Sequence, residues 1–194
     1  MRVIAGEFRS RPLTAPRGLD TRPTSDRLRE TLFNILAAQT PQSIFVDLFA
    51  GTGAVGIEAL SRGAAQVYFA EVAAPALAAL RANLSKLGIA ERCSVETRGA
   101  LPLLRALAQK NLRAKLVYVD PPYADATAYQ ETFALLVSLP VLAADAVIVV
   151  EHSSHAPTPQ APAALIAYRT LRQGDAQVTF YRVASGAVEN APPV

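Results

Sequence analysis

From residue 44 onward, short apolar runs rich in β-branched residues alternate with longer alanine- and leucine-rich segments of helical spacing. The runs are short and mostly apolar, as expected of strands buried on both faces of a parallel sheet. The predicted strands are Ile44–Leu48, Gln66–Glu71, Cys93–Thr97, Lys115–Asp120 and Ala146–Glu151. Helices are predicted between them at residues 54–61, 75–87, 100–110 and 127–138. This alternation predicts an α/β fold.

The two ends of the chain depart from this pattern. Ala164–Leu171 and Gln177–Val183 flank a turn at residues 173–175, which predicts a hairpin and an antiparallel last strand. Residues 2–15 are predicted to form two short extended segments, and Ser25–Ala37 a helix that packs on the main domain. We therefore expect a small N-terminal extension at 1–40, a main domain at 41–183 and a flexible tail at 184–194.

The chain has 194 residues, of which 51% are hydrophobic and 18% charged, and this suits one compact globular domain. Its apolar runs are shorter than the roughly 18–20 residues of a membrane span, and the first residues lack a secretory signal pattern. A single cysteine excludes an intramolecular disulfide, and two histidines without a cysteine cluster argue against a zinc site. We expect a cytoplasmic monomer without metal or membrane contact.

Charge is concentrated at one end of the sequence. The first 30 residues contain seven arginines and four acidic residues, a balance of +3 that equals the formal charge of the whole chain. A basic segment on a neutral body is typical of proteins that contact nucleic-acid phosphates, because the arginine fork can hold a phosphate in bidentate fashion. A solvated arginine-rich terminus would have the same composition.

The segment from Val46 to Glu58 leaves the first predicted strand, passes through a glycine-rich turn and enters a helix. Its three glycines fit the G-x-G-x-x-G pattern of nucleotide-binding turns, and Glu71 ends the next strand where a ribose-binding acid would lie. These features alone would also suit NAD. The residues that we expect at the cofactor are Asp47, Phe49, Gly51, Gly53 and Glu71.

Asp47 favours S-adenosylmethionine over a dinucleotide. It ends the first strand, four residues before Gly51, so its carboxylate would lie beneath the bound ligand. A carboxylate there would repel the pyrophosphate of NAD but attract the ammonium and sulfonium groups of S-adenosylmethionine.

The fourth strand runs directly into Asp120-Pro121-Pro122-Tyr123. The prolines stiffen the turn and lack backbone donors, which leaves carbonyl groups free to accept. A base's amino nitrogen is a poor nucleophile that needs such acceptors, and we expect the Asp120 carboxylate and the Pro121 carbonyl to supply them. Asp120 would also stabilise the positive charge that develops on the nitrogen, while Tyr123 offers a face for the base.

The same tetrapeptide also occurs as an ordinary surface turn. Its position after the fourth strand favours the catalytic interpretation, because the cofactor loop is predicted at the same edge of the sheet. We therefore predict methylation of an exocyclic amino group, with Asp120, Pro121 and Tyr123 as catalytic residues.

In these motifs the chain resembles the bacterial RsmD-type family, which methylates the N2 amino group of a guanine in 16S ribosomal RNA. The resemblance runs from about residue 2 to residue 183. The block Arg22-Pro-Thr-Ser-Asp-Arg-Leu-Arg29 is its most specific part. The other matching segments are 32–36, 47–58, Asn83, 120–123 and Glu151-His152.

The resemblance implies a Rossmann-like class I methyltransferase fold, with a seven-stranded, mostly parallel sheet and an antiparallel last strand. It implies S-adenosylmethionine as cofactor and 16S rRNA as partner, in a small ribosomal subunit or its assembly intermediate. The residues that it places at the RNA substrate are Arg22, Thr24, Ser25, Arg27, Arg29, Pro122 and Tyr123.

Two positions depart from the family pattern. Gly99 stands where such enzymes usually carry an aspartate that meets the adenine amino group. We therefore expect backbone groups of Arg98, Gly99 and Ala100 to recognise the adenine. The turn after Glu71 also lacks the family's common second acid.

Parts of the sequence are also compatible with four other functions. A DNA adenine-N6 methyltransferase would make the same demands on Asp120 and Tyr123, but only about 40 residues lie outside the core, too few for a DNA-recognition domain. A protein-glutamine methyltransferase leaves the basic segment without a role. An NAD-binding oxidoreductase is disfavoured by Asp47, and a noncatalytic RNA-binding module has no need of a methyl-donor pocket.

Overall fold

A seven-stranded sheet lies at the centre of the computed structural model, in which residues 1–16 and 24–184 are described. The strands are β1 Ile44–Asp47, β2 Gln66–Ala70, β3 Cys93–Glu96, β4 Ala114–Val119, β5 Leu142–Ser153, β6 Leu165–Gln173 and β7 Ala176–Val183. The α-helices are α1 Asp26–Ile35, α2 Ala54–Ser61, α3 Ala74–Leu87, α4 Ala100–Gln109 and α5 Ala126–Ser138, and a 3₁₀ turn spans Ala90–Arg92.

The strand order is β3-β2-β1-β4-β5-β7-β6. Strands β1 to β5 are mutually parallel, and β7 is inserted antiparallel between β5 and β6. The predicted fold class is confirmed by this topology. The chain order reverses between β1 and β4, and in open α/β sheets such a reversal opens a crevice beyond the carboxyl ends of the strands.

Alternate residues of the strands enter two separate cores. Phe45, Phe69 and Leu116 face a cluster that includes side chains of α1, α2 and α3. Val46 and Val117 face the opposite cluster, which includes side chains of α4 and α5. Side chains of a strand point alternately to the two faces of the sheet. A polar residue just past a strand end therefore lies on the same face as the strand residue two positions before it.

The N-terminal extension is part of the first core. Val3, Phe8 and Leu13 are buried there. The carboxylate of Glu58 on α2 is also buried, and it accepts hydrogen bonds from the backbone N–H groups of Ile4 at 2.7 Å and Ala5 at 3.0 Å. The extension is therefore docked on α2 through both apolar contacts and backbone hydrogen bonds.

A second attachment joins the extension to the loop after β1. The fully buried side chain of Asn83 on α3 accepts from the N–H of Thr14 at 2.7 Å and donates to its carbonyl at 3.1 Å. The same amide group donates to the Thr52 carbonyl at 3.0 Å. One side chain thus holds the extension against the glycine-rich loop.

Most predicted element boundaries lie within one or two residues of the observed ones. The main exception is β5, which begins at Leu142 instead of Ala146 because it pairs with Ala114 through an irregular register at the start of β4. The two predicted extended segments form a single β-bridge between Arg2 and Pro12.

Apart from Ala184, the predicted flexible tail lies outside the described residues. In the described part of the chain, no helix is long and apolar enough to cross a membrane.

We expect Gly6→Ala to loosen the extension. Gly6 has a φ of 81°, and a Cβ there would lie 1.8 Å from the backbone oxygen of Ser61. Gly88→Ala is a matched control, because Gly88 has a φ of 69° but no atom within 4 Å of the added Cβ. Gly88→Ala should cost about 1 kcal/mol from the backbone conformation alone, and Gly6→Ala about 1–3 kcal/mol more from the collision.

Urea unfolding measures both differences, and amide exchange at Ile4, Ala5 and Phe8 reports on local release of the extension. Equal losses for the two variants would show that the contact with Ser61 relaxes without cost.

Candidate functional site

Four acidic residues meet at the carboxyl edge of the sheet. Asp47 ends β1, Glu71 follows β2, Asp120 follows β4 and Glu151 lies in β5. The register pairs Val119 with Val150, so the next residues along the two strands, Asp120 and Glu151, lie side by side. The edge is therefore a concentrated region of negative charge.

Asp47 is buried and only half satisfied. Its Oδ2 accepts the N–H of Gly56 at 3.0 Å, whereas its buried Oδ1 has no hydrogen-bond partner in the described part of the chain. Burial raises the pKa of Asp47 from its ordinary value to about 7, and the charge of Glu71 adds to the rise. An unpartnered buried acceptor of this kind suits a ligand that brings positive charge and N–H donors.

The glycine-rich loop leaves room above Asp47. A Cβ at Gly51 would meet no atom within 4 Å, so the backbone there borders open space. Gly51 and Gly53 both have a left-handed φ, 55° and 80°, but only at Gly53 would a Cβ collide, at 2.3 Å from the side chain of Leu80. Gly53 is thus required by the turn into α2, while Gly51 allows close approach of a ligand to the loop.

Glu71 is fixed by three backbone N–H groups. Its carboxylate accepts from Gly51 at 2.7 Å, Val72 at 2.8 Å and Ala73 at 2.7 Å. A carboxylate has about four acceptor positions, so this carboxylate shapes the loop and retains limited capacity for a ligand. That internal role was not evident from the sequence.

The loop after β3 lies against the turn after Glu71. The side chain of Val72 is 64% exposed, and a Cβ at Gly99 would lie 3.3 Å from it. Arg98 is turned toward Glu96, which accepts from its backbone N–H at 2.9 Å and from its guanidinium at 2.8 Å and 2.9 Å. Helix α4 begins at Ala100 without a side-chain cap.

Three residues were predicted to recognise an adenine. The backbone N–H, Nε and Nη2 of Arg98 donate to Glu96, whereas Gly99 and Ala100 lie at a helix start without a side-chain cap. Val72 was not among the predicted residues. Its signal in the sequence was only its position next to Glu71.

The turn after β4 is held by its own hydrogen bonds. The carbonyl of Pro122 accepts from the N–H of Asp125 at 2.8 Å, and the Asp125 side chain caps α5 by accepting from Ala128 at 3.0 Å. Pro121 is buried, and Tyr123 is 40% exposed. The turn thus presents the Tyr123 ring from a rigid base.

Glu151 is a functional candidate that matched the family pattern but for which no role was predicted. Its side chain is buried and accepts hydrogen bonds from three hydroxyl groups. They belong to Tyr118, to Tyr123 at 2.9 Å and to Thr24 at 3.2 Å. The available signal was an acid at the end of the apolar run 147–150.

The charges at this edge shift the ionisation of their neighbours. Burial raises the pKa of Asp120 well above its ordinary value, and the charges of Glu151 and Asp47 raise it further. Burial and the charge of Glu151 also raise the pKa of Tyr118 and Tyr123. Both phenols therefore stay protonated and act as hydrogen-bond donors to Glu151.

The predicted substrate residues of the N-terminal part are separated by the structure. Thr24 reaches Glu151, and Ser25 caps α1 by accepting from the N–H of Leu28 at 3.1 Å. Arg27 is exposed and lines a cleft of about 380 Å³ together with Arg2 and Arg9. Arg22 lies outside the described residues.

Arg29 departs from the expectation of a surface position. Its side chain is fully buried, and Nη2 donates to the Arg2 carbonyl and to Asp26, both at 2.7 Å. Nε and Nη1 have no hydrogen-bond partner among the described residues. Arg29 lies on the buried side of α1 with Leu32 and Phe33. Its hydrogen bond to the Arg2 carbonyl joins α1 to the start of the extension.

The similarity to known proteins covers nearly the whole chain, extension included. The family described as conserved hypothetical protein 95 matches residues 1–182. The ribosomal RNA small subunit methyltransferase D of Escherichia coli (strain K12) is 36% identical over 182 residues, 94% of this chain and 89% of that protein. The protein YlbH of Bacillus subtilis (strain 168) is 33% identical over 185 residues, 94% of this chain and 98% of that protein.

Solved structures are similar over the same extent. The structure of the Escherichia coli protein yhhF matches with a TM-score of 0.81 and 35% identity, and the match covers 95% of this chain and 99% of that one.

We expect Asp47→Asn to change stability in a pH-dependent way. The folded state holds the proton of Asp47 more tightly than the unfolded state, because its pKa is raised to about 7. The ionised wild-type carboxylate therefore destabilises the fold fully above pH 7, and this penalty fades as the pH falls toward 4. The stability of Asp47→Asn relative to wild type should drop by roughly 2–3 kcal/mol between pH 8 and pH 5.

Urea unfolding at the two pH values measures this difference. Glu96→Gln serves as control, because the pKa of Glu96 is lowered to about 2 by Arg98 and its carboxylate stays ionised across the interval. A pH-independent difference for Asp47→Asn would mean that Asp47 titrates as an ordinary aspartate.

Proposed function

The chain belongs to the family described as conserved hypothetical protein 95, together with the ribosomal RNA small subunit methyltransferase D proteins, and from this membership we propose its reaction. It transfers a methyl group from S-adenosylmethionine to the exocyclic N2 amino group of a guanine in 16S ribosomal RNA. Its fold is the class I methyltransferase fold. The observation that carries the proposal is the Asp120–Tyr123 turn, which lies at the same sheet edge as the open carboxylate of Asp47.

The residues at the glycine-rich loop fit the methyl donor. S-adenosylmethionine supplies a methyl group on a positively charged sulfur. The free Oδ1 of Asp47 offers an acceptor and a negative charge to the cationic end of the ligand, and the space over Gly51 admits it. Glu71 provides its remaining acceptor capacity to the ribose hydroxyls. The pyrophosphate of NAD would face the carboxylate of Asp47, which opposes an oxidoreductase.

We assign the adenine to the surface beside Val72 and the start of α4. The exposed apolar side chain of Val72 would pack against the ring, and backbone groups of Gly99 and Ala100 would contact its edge. Phe49, half-buried near the loop, completes the predicted cofactor residues. Arg98 acts by holding Glu96 and the loop in place rather than by donating to the ligand.

At the other side of the site, the substrate amino group donates to the Asp120 carboxylate and to the Pro121 carbonyl. Asp120 stabilises the positive charge that grows on the nitrogen more than it stabilises the neutral amine, and this lowers the barrier. Burial and the neighbouring acids raise the pKa of Asp120, and a positive charge bound at this edge would lower it and favour the carboxylate. The base lies on the exposed face of Tyr123, next to Pro122.

The RNA backbone binds the cleft between the extension and α1. Its lining holds three arginines, Arg2, Arg9 and Arg27, and two acids, Asp26 and Glu30. Arg2 is paired with Asp26 at 3.6 Å, and the positive balance of the cleft attracts phosphates. Residues 1–40 thus serve RNA contact and residues 41–183 catalysis. The substrate is rRNA in a small ribosomal subunit or its assembly intermediate, and the enzyme acts in the cytoplasm as a monomer.

The first test is transfer of radiolabelled methyl from S-adenosylmethionine to unmodified 16S RNA, free and in small-subunit particles, with the product nucleoside identified by mass spectrometry. We expect N2-methylguanosine. Asp120→Asn should lower kcat at least 100-fold while calorimetry shows donor binding within a few fold of wild type, because the lost charge acts in the transition state.

Asp125→Asn is the matched control, since asparagine caps a helix as well as aspartate does and should leave turnover near wild type. N6-methyladenosine as product would keep the amine chemistry but overturn the guanine assignment. Turnover near wild type in Asp120→Asn would remove Asp120 from the reaction.

A second test addresses the basic cleft. Replacing Arg2, Arg9 and Arg27 by alanine should weaken RNA binding and reduce the slope of log K against log salt by about 2, since each phosphate contact contributes roughly 0.7–0.9. The control removes the same charge from exposed positions on and after α4, namely Arg105, Lys110 and Arg113. Equal slopes for both triple variants would place the RNA elsewhere.

A further inference from the structure

Glu151 is a buried carboxylate at the centre of the site, but the proposed reaction does not use it as a reactant. We propose that Glu151 is a positioning residue. Its carboxylate holds the Tyr123 ring in place for the base and links the Asp120–Tyr123 turn to Thr24, which lies just before α1. This inference rests on the proposed function and deepens it.

The two oxygens of Glu151 serve different parts of the molecule. Oε1 accepts from the Tyr123 hydroxyl at 2.9 Å. Oε2 accepts from Thr24 at 3.2 Å and from Tyr118. The hydroxyl groups of Thr24 and Tyr118 also lie 3.4 Å apart. One carboxylate therefore connects β4, the catalytic turn and the start of α1.

The backbone of Glu151 is itself immobilised. It pairs with Val178 of β7, and its carbonyl accepts from the buried Tyr129 hydroxyl of α5 at 2.9 Å. Tyr123, in contrast, is 40% exposed and follows two prolines in a loop. The rigid strand thus supplies the fixed point, and the hydroxyl of Tyr123 is what orients the exposed ring. A free tyrosine ring would rotate about its χ1 bond.

Glu151 is poorly suited to take the proton of the methylated nitrogen, because its oxygens already accept from three hydroxyl groups. Its charge nevertheless acts on Asp120. The ionisable groups that face Asp120 are Glu151 on β5, Asp47 on β1 and the phenols of Tyr118, Tyr123 and Tyr129. Removing the charge of Glu151 should therefore ease the ionisation of Asp120.

This gives the variant Glu151→Gln a signature that mere destabilisation would not produce. We expect kcat/KM for RNA to fall 10- to 100-fold, mainly through KM, while the acid limb of the kcat–pH profile moves to lower pH. Tyr123→Phe should lower kcat/KM by a similar factor without moving the acid limb. The double variant should fall little below Glu151→Gln, because both changes remove the same contact.

Thr40→Val is the control. It removes a buried hydrogen bond to the Leu36 carbonyl at 2.9 Å, before the amino end of β1 and away from the site, so stability should fall while KM and the acid limb stay as in wild type. An unmoved acid limb and an unchanged KM in Glu151→Gln, or additive losses in the double variant, would overturn the inference.

A readout without turnover separates this inference from the proposed function. With fluorotyrosine incorporated, the ¹⁹F resonance of Tyr123, assigned through Tyr123→Phe, should be sharp in wild type and broadened or doubled in Glu151→Gln. If that change appears but wild type does not methylate guanine, the reaction assigned here fails and the positioning role stands. If wild type methylates guanine and the resonance is unchanged in Glu151→Gln, the positioning role fails alone.

Discussion

Crowding of negative charge at one sheet edge is the constraint on which the rest of the site depends. Parallel strands end at the same edge, so acids that follow neighbouring strands are brought together in a poorly solvated place. The fold stabilises two of the carboxylates with hydrogen-bond donors: Glu71 accepts from backbone N–H groups and Glu151 from hydroxyl groups. Asp47 and Asp120 keep acceptor capacity, and the raised pKa of each shows what their ionisation costs.

This division explains why the two kinds of acid differ in role. The acids with internal donors act as fixed parts of the scaffold that orient a loop and a ring. Asp47, with one backbone donor, and Asp120 are costly to ionise until a positively charged group binds, which suits this edge to cationic ligands. Asp47 and Asp120 thus lower the stability of the fold at the place where a ligand would bind.

Much of the fold could be predicted because the strands are buried on both faces and the helices are long. The order and pairing register of the strands were harder to predict from the sequence. The order β5-β7-β6 depends on pairing between distant segments, and the early start of β5 depends on an irregular pairing with Ala114. The glycine loop and the Asp120–Tyr123 turn were recognisable since their residue types are chemically specialised.

The rest of the site was hidden for particular reasons. Glu151 follows a continuous apolar run in β5 without alternating polar residues. The sequence pattern therefore could not show which face of the sheet its side chain lies on. The family resemblance predicts Arg29 at the RNA substrate, although its side chain is buried on the apolar side of α1. Val72 matters through exposure, which a local sequence does not reveal. In each case burial was decided by tertiary contacts.

The insertion of β7 between β5 and β6 has a consequence for biosynthesis. During translation β6 emerges before β7, yet β6 pairs with β7 in the described sheet and not with β5. Until residue 176 and those after it have left the ribosome, the edge of β5 that faces away from β4 lacks its partner strand. Strand residues of other chains can then pair with its apolar segment 147–150. The growing polypeptide therefore exposes an unpaired strand edge until β7 emerges.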